Sequence, residues 1–324
     1  MIPPASRPSA WGAALLIWQF GLTAFAIGLS LQASRIVWLC GQVLLGICML
    51  QWFILQHDLA HRALLKNAGV AAVVGHISSL FCLLPYWPWQ RVHHAHHRWT
   101  GWREPDPTIP DKAHADYGPR LAAVINFCWR FWVPVFAASF TAQTFWNVPR
   151  LDRLFPDAAS RRRHRFSIAF IVVVAVCCIA AFGAVFFKVW LLALFVFVSI
   201  SDPYLLSQHT HIDYLDAAGT KPVPVPFARQ DEFSRTLRYP RFVEVLVLYD
   251  SNRHGLHHRL PQVPCYRLAA EPDQPDNDIW WSDWLRRAKA MPGLDLIFLS
   301  TRDTGALLQG RAPAYPTRGE REVR

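Results

Sequence analysis

Long apolar runs set the ground plan of this 324-residue chain. Residues 11–32, 36–55, 166–187 and 189–206 contain no Lys or Arg. Each is close to the ~20 residues that a helix needs to cross a hydrocarbon core about 30 Å thick. Only residues 33–35 separate the first pair, and the second pair is divided in the neighbourhood of Gly183 and Lys188, so each pair predicts a tight helical hairpin. The pattern therefore predicts an all-α membrane protein with two transmembrane hairpins, four spans in all.

Two further stretches complicate the pattern. Residues 68–89 are long enough to span, but a crossing there would put the histidines before and after it on opposite sides of the bilayer. That run is expected to be re-entrant, interfacial or buried against the other helices. Residues 121–146 mix Trp129, Arg130, Trp132, Phe136, Phe140 and Trp146, which suits a helix lying in the interface. Residues 310–324 are rich in Arg, Pro and Gly without apolar periodicity, and are expected to be a disordered tail.

Composition agrees with this plan. Hydrophobic residues make up 52% of the chain, and its 15 Trp and 21 Phe suit bilayer interfaces. The net charge of +10 is not arranged as basic residues interleaved with stacking aromatics, so it does not indicate a nucleic acid partner. Topology accounts for it better. If both hairpins enter from one side, Arg7, Arg62, Lys66, Arg91, Arg98, Arg161, Arg162, Arg163 and Arg165 share a face, with Arg35 and Lys188 at the far turns. The positive-inside rule makes that face cytoplasmic, and a bacterial inner membrane is the expected location. Cys40, Cys48, Cys82, Cys128, Cys177 and Cys178 lie in apolar runs and read as core thiols with no disulfide framework. Residues 1–10 lack a basic n-region and a small-residue cleavage pattern, so the first apolar run is expected to remain in the mature protein.

The chemistry lies in the histidines, of which there are 14. His57 and His61 stand in HDLAH, His93, His94, His96 and His97 in HHAHH, His209 and His211 in QHTH, and His254, His257 and His258 in HGLHH. Positions i, i+3 and i+4 share one helix face, so HxxxH and HxxHH aim imidazoles at a common point. Neutral imidazole suits iron, copper or zinc, and so many ligands exceed the capacity of one ion. The groups also follow the ends of the second and fourth runs, where they could meet beside the headgroups.

HDLAHRALLKN, PYWPWQRVHHAHHRWTGWREPDPT, YLLSQHTHIDY and HGLHHRLPQVPCYRL together resemble the successive histidine boxes of the integral-membrane fatty acid desaturases and their hydroxylase and ketolase relatives. The resemblance covers residues 57–268 and implies a membrane desaturase domain over residues 11–288, after an N-terminal segment of residues 1–10 and before a C-terminal extension of residues 289–324. It also implies two Fe ions and O2 as co-substrate, with His57, His61, His93, His96, His97, His209, His254, His257 and His258 as ligands in a helical cap on the cytoplasmic face. His94 and His211 are neighbours that could replace a chosen ligand. Asp58, Asp106, Asp213 and Asp250 could orient ring nitrogens. The implied reaction is oxygen-dependent desaturation of a fatty acyl chain or related lipid, with no separate acid or base residue. The chain carries no haem module, iron–sulphur cysteine pattern or dinucleotide loop, and the resemblance implies an external ferredoxin or cytochrome as electron donor.

Competing readings remain. The same boxes would serve a hydroxylase or ketolase acting on a carotenoid or another lipid. A metal transporter or haem-binding membrane protein is a different class, but transport calls for polar ligands near mid-bilayer, where only His76 could lie. His76 reads as a buried, hydrogen-bonded histidine, and His114 and His164 read as solvated. Tyr86, Trp87 and Trp89, and separately Trp280, Trp281 and Trp284, read as interfacial aromatics. Asp106, flanked by prolines, reads as a turn residue.

Overall fold

A computed structural model describes residues 10–110, 113–217, 219–272 and 278–299. Arg7 and the tail at 310–324 lie outside the described residues. Helices α1 (Ala10–Leu31) and α2 (Arg35–Ala60) form the first hairpin, and α8 (Ala158–Phe182) and α9 (Ala184–His209) form the second. All four are long and apolar enough to cross a membrane. Their outward faces carry large exposed apolar side chains such as Trp11, Ile17, Phe25, Val173 and Phe195, as lipid contact requires.

The two hairpin turns lie at the same end. Lys188 Nζ donates to the carbonyls of Leu31 and Gln32 at 3.0 and 3.2 Å, satisfying the C-terminal end of α1. Between the hairpins, buried Gln42 spans one turn of α9, donating to Val189 O and accepting from Ala193 N, both at 3.0 Å. Such polar links between spans contribute about 0.6 kcal/mol each on average.

Helix α3 (Ala68–Cys82), capped by Asn67, turns through 99° into α4 (Tyr86–Trp99). The turn uses Leu83 in the left-handed region at φ 53° and then Pro85. At 15 residues, α3 is about 22 Å long, too short to cross the core alone. His61, before this bent pair, and His93, after it, have their Nε2 atoms 2.8 Å apart, so the histidine groups flanking the segment meet on one side of it. Tyr86 packs where Gly75 leaves room, since a Cβ on Gly75 would stand 2.3 Å from the Tyr86 ring.

No continuous helix forms over residues 121–146. It breaks into α5 (Pro119–Arg130) and α6 (Phe136–Thr141), because Trp132 has φ 57° and Pro134 has no N–H to donate. This segment docks on α9 around Pro203, which leaves Ser199 O without its helical donor. Trp132 Nε1 supplies one at 3.5 Å, and Asp202 accepts from the backbone N–H groups of Phe136 and Ala137 at 3.2 and 2.7 Å. Helix α7 (Val148–Leu154) then leads into α8.

The cap is completed by β1 (Thr236–Arg238), α10 (Arg241–Leu246), α11 (His254–Arg259), β2 (Asp278–Trp280), α12 (Trp281–Lys289) and α13 (Gly293–Phe298). The strands form a short parallel pair, and Trp102 and Leu215 add an isolated parallel bridge, within described residues that are otherwise mostly helical.

Three expectations are corrected. His164 is buried against Phe155, on the face of α8 that meets α7, and is not solvated. Tyr86 and Trp89 are core residues and not an interfacial belt, and Trp284 is likewise buried beneath exposed Trp280 and Trp281. Of the thiols read as core, Cys40 and Cys177 are exposed on the faces of their spans while Cys48 and Cys82 are buried, and none forms a disulfide.

Candidate metal centre

The histidine-bearing helices deliver their imidazoles to one place for simple reasons. His57 and His61 stack at i, i+4 at the end of α2. His93, His96 and His97 share the inward face of α4, and His254, His257 and His258 that of α11. His209 ends α9. Its position is fixed by buried Arg235, whose backbone N–H donates to Gln208 O at 2.9 Å and whose guanidinium donates to Ser207 O at 2.6 Å, satisfying the helix's last carbonyls.

Two groups result. His57, His61, His93, His97 and His257 form one, and His96, His209 and His258 form the other, each with potential ligand atoms within 4.8 Å of one another. His254 joins the second group, with Nε2 at 2.8 Å from His209 Nε2 and 3.1 Å from His258 Nε2. In the first group, Nε2 of His93 is 2.8 Å from that of His61 and 3.1 Å from that of His97, which is 3.0 Å from that of His257. The groups adjoin, since the rings of His97 and His258 are 4.5 Å apart.

The second group reveals its protonation state. His96 Nδ1 lies 2.8 Å from Asp106 Oδ2, and His209 Nδ1 lies 2.9 Å from Phe233 O. His258 Nδ1 lies 3.3 Å from Gln230 Oε1, and that amide is oriented by its NH2 donating to His97 O and Val225 O. Carboxylate and carbonyl oxygens only accept, so each of these rings donates from Nδ1 and turns a bare lone pair inward from Nε2. His209 Nε2 nevertheless stands 3.2 Å from the Nε2 of both His96 and His258. Lone pairs facing each other at that distance repel, whereas a cation between them would be bound. Nitrogens ~2.0–2.1 Å from a shared ion sit roughly 3 Å apart, so the residues present fit a metal.

In the first group, Asp58 Oδ1 is 3.3 Å from His57 Nδ1. Cys265 holds this carboxylate through its backbone N–H at 2.9 Å and its thiol at 3.0 Å. The Nδ1 atoms of His97 and His257 are buried without a partner among the described residues. Burial first, and neighbouring imidazoles second, hold His61, His93, His97, His254, His257 and His258 well below the ordinary imidazole value, so they stay neutral and ligand-competent.

All nine histidines singled out from the sequence enter these two groups. His94 stays outside, bonded to Ala60 O at 3.0 Å, and so does His76, buried between Ala72 O and Ser167 Oγ among the rings of Tyr86, Trp87, Phe166 and Phe170. Of the acids considered, Asp106 and Asp58 reach histidines, Asp250 pairs instead with Arg241 and Arg253, and Asp213 is exposed. Gln230 and the Phe233 carbonyl escaped sequence reasoning because they lie outside the histidine-box segments, and Cys265 did so because nothing in the segment HGLHHRLPQVPCYRL that contains it points to Asp58. Trp89 also did, although its ring stacks on His93 at 4.5 Å.

A multi-pass helical frame with two histidine groups able to hold metal at one end of its spans defines a class of membrane protein, and comparison with known families narrows it. Residues 33–271 match fatty acid desaturase, and the chain belongs to that family. It is 24% identical to the chloroplastic omega-6 fatty acid desaturase of Spinacia oleracea over 87% of its own length and 62% of the relative's. It is also 24% identical to the sn-1 oleoyl-lipid 12-desaturases of Picosynechococcus, over 69% of this chain and 65% of the relative, and of Anabaena variabilis, over 86% and 79%. The chain thus spans less than two thirds of the length of the spinach and Picosynechococcus proteins.

Proposed function

We propose that this protein desaturates a fatty acyl chain of a membrane lipid, using O2 at a centre of two iron ions. His57, His61, His93, His97 and His257 would hold one ion and His96, His209, His254 and His258 the other. The observation that carries this reading is the set of convergent Nε2 lone pairs on His96, His209 and His258, each with its Nδ1 proton committed elsewhere. Two bound irons would supply reductive activation of O2, strong enough to remove hydrogen from an unactivated C–H bond.

The chain's own residues supply position. Asp106, Phe233 O and Gln230 fix ring tautomer and orientation on one side, and Asp58, itself held by Cys265, does so at His57. Buried, neutral imidazoles exclude competing protons. The metal groups stand at the ends of α2 and α9, where an acyl chain can approach from the bilayer and water and electrons from outside it. Neighbouring methylenes are chemically alike, so the bond removed is chosen by how the acyl chain is held. The end carrying the histidines is read as cytoplasmic, in a bacterial inner membrane, with residues 11–288 as the catalytic unit and an external electron donor.

The names of the acyl-lipid relatives favour desaturation over the hydroxylase or ketolase reading. Ligands gathered at the ends of α2 and α9, away from mid-bilayer, count against transport.

The test is mass spectrometry of lipids from host membranes expressing the wild type or a His96→Ala, His97→Ala variant. Species lighter by two hydrogens, present only with the wild type, support the reading and identify the acyl chain. Species heavier by one oxygen would replace desaturation with hydroxylation.

A further inference from the structure

The outward face of α4 carries a feature that metal binding does not use. While His93, His96 and His97 point inward, Arg91, His94 and Arg98 occupy the opposite face at i, i+3 and i+7 and are exposed. Arg62, directly after His61, is exposed as well, and it and Arg91 both act electrostatically on His94. None of Arg62, Arg91 and Arg98 forms an ion pair among the described residues, whereas Arg103, Arg165 and Arg286 each have a carboxylate partner. The side chains of Arg91 and Arg98 lie instead over Phe155 and Trp99, leaving their charge open to solvent.

His94 connects this surface to the metal centre by two routes. Its ring centroid is 5.6 Å from that of His61. Its Nε2–H also donates at 3.0 Å to the carbonyl of Ala60, whose carbon is bonded to the backbone nitrogen of His61. An exposed imidazole, one hydrogen bond and one peptide link thus join solvent to a proposed ligand.

Resting on the desaturase reading above, the electron balance states what such a route is for. Desaturation converts O2 and two substrate hydrogens, with two further electrons and two protons, into two waters. The two electrons must come from outside the chain.

We propose that Arg62, Arg91 and Arg98 form the docking surface for a small acidic electron-transfer protein, and that His94 conducts its electrons to His61. Unpaired positive charge ringing a short electron path selects an acidic partner and speeds its association. It also makes that association sensitive to salt, with screening over about 10 Å at 0.1 M ionic strength.

The test uses the iron-loaded full chain in nanodiscs with a plant-type [2Fe–2S] ferredoxin as probe, reading its Kd directly. For wild type, Kd rises steeply with salt. In the Arg62→Glu, Arg91→Glu, Arg98→Glu variant it rises at least tenfold at low salt, and a matching Gln set, which adds no repulsion, gives a smaller rise. Iron reduction by ferredoxin slows in parallel, while reduction by dithionite keeps its wild-type rate. His94→Ala leaves Kd unchanged and slows reduction by bound ferredoxin. A Kd indifferent to both salt and the charge substitutions would overturn the docking surface, and unchanged reduction in His94→Ala would overturn the route. Protein that binds ferredoxin as described but retains no iron would sink the desaturase reading and leave the surface standing.

Discussion

His96 Nε2 faces His209 Nε2 at 3.2 Å, and neither nitrogen carries a proton, because the Nδ1 of each ring already donates to Asp106 or to the Phe233 carbonyl. The arrangement joins the second histidine box to the end of the fourth span. It also makes the site dependent on acceptors outside the boxes, which gives the account several consequences.

Asp106→Ala removes the carboxylate 2.8 Å from His96 Nδ1 and leaves the Thr108 hydroxyl at 3.1 Å, while Asp213→Ala removes an exposed acid close in sequence to His209. Losing an outer acceptor of a metal-bound histidine costs about 10–100-fold in metal affinity. Metal titration of the two variants is expected to show that loss for Asp106→Ala only, and confined to one of two ions. Equal affinity in both variants would contradict the role given to Asp106.

Acidification is expected to destabilise the metal-free protein. His61, His93, His97, His254, His257 and His258 titrate below the ordinary value when folded, but near about 6.5 in the unfolded chain. As pH falls through that value the unfolded chain takes up protons that the folded chain refuses, so stability is lost downward from there. The unfolding temperature of chelator-treated protein should therefore decline from about pH 7 toward about pH 5. A flat profile over that window would mean the histidines are not held neutral.

Gly75→Ala tests the return turn. The added carbon would stand 2.3 Å from the Tyr86 ring, whose hydroxyl is tied to Leu59 O at 3.3 Å. Overpacking of this kind costs about 1–3 kcal/mol. A lowered unfolding temperature together with weakened metal binding is expected, since Tyr86 opens the helix that carries three of the proposed ligands, His93, His96 and His97. Unchanged values in both measurements would show that α3 and α4 move apart freely.

The sequence showed most where one local rule decides. Four runs without Lys or Arg can only be buried or in lipid, and the spacing of His93, His96 and His97 puts them on one helix face whatever surrounds them. It showed least where the deciding partner is remote. Asp106 and Asp250 are equally plausible acceptors in one dimension, yet only Asp106 reaches a histidine, because Arg241 and Arg253 occupy Asp250. Cys265 meets Asp58 across 207 residues, and no periodicity encodes that contact. His164 looked solvated among arginines because charge neighbours are visible in sequence, whereas the α7 face that covers it is not.

The central claim is that two histidine groups hold one ion each, and counting metal per chain tests it most directly. Protein purified from iron-replete cells is to be assayed beside His96→Ala, His209→Ala and beside His61→Ala, His93→Ala. The account predicts two irons per chain in the wild type and one in each variant, lost from the altered group. A wild type holding one ion or none, or variants that keep both, would contradict it.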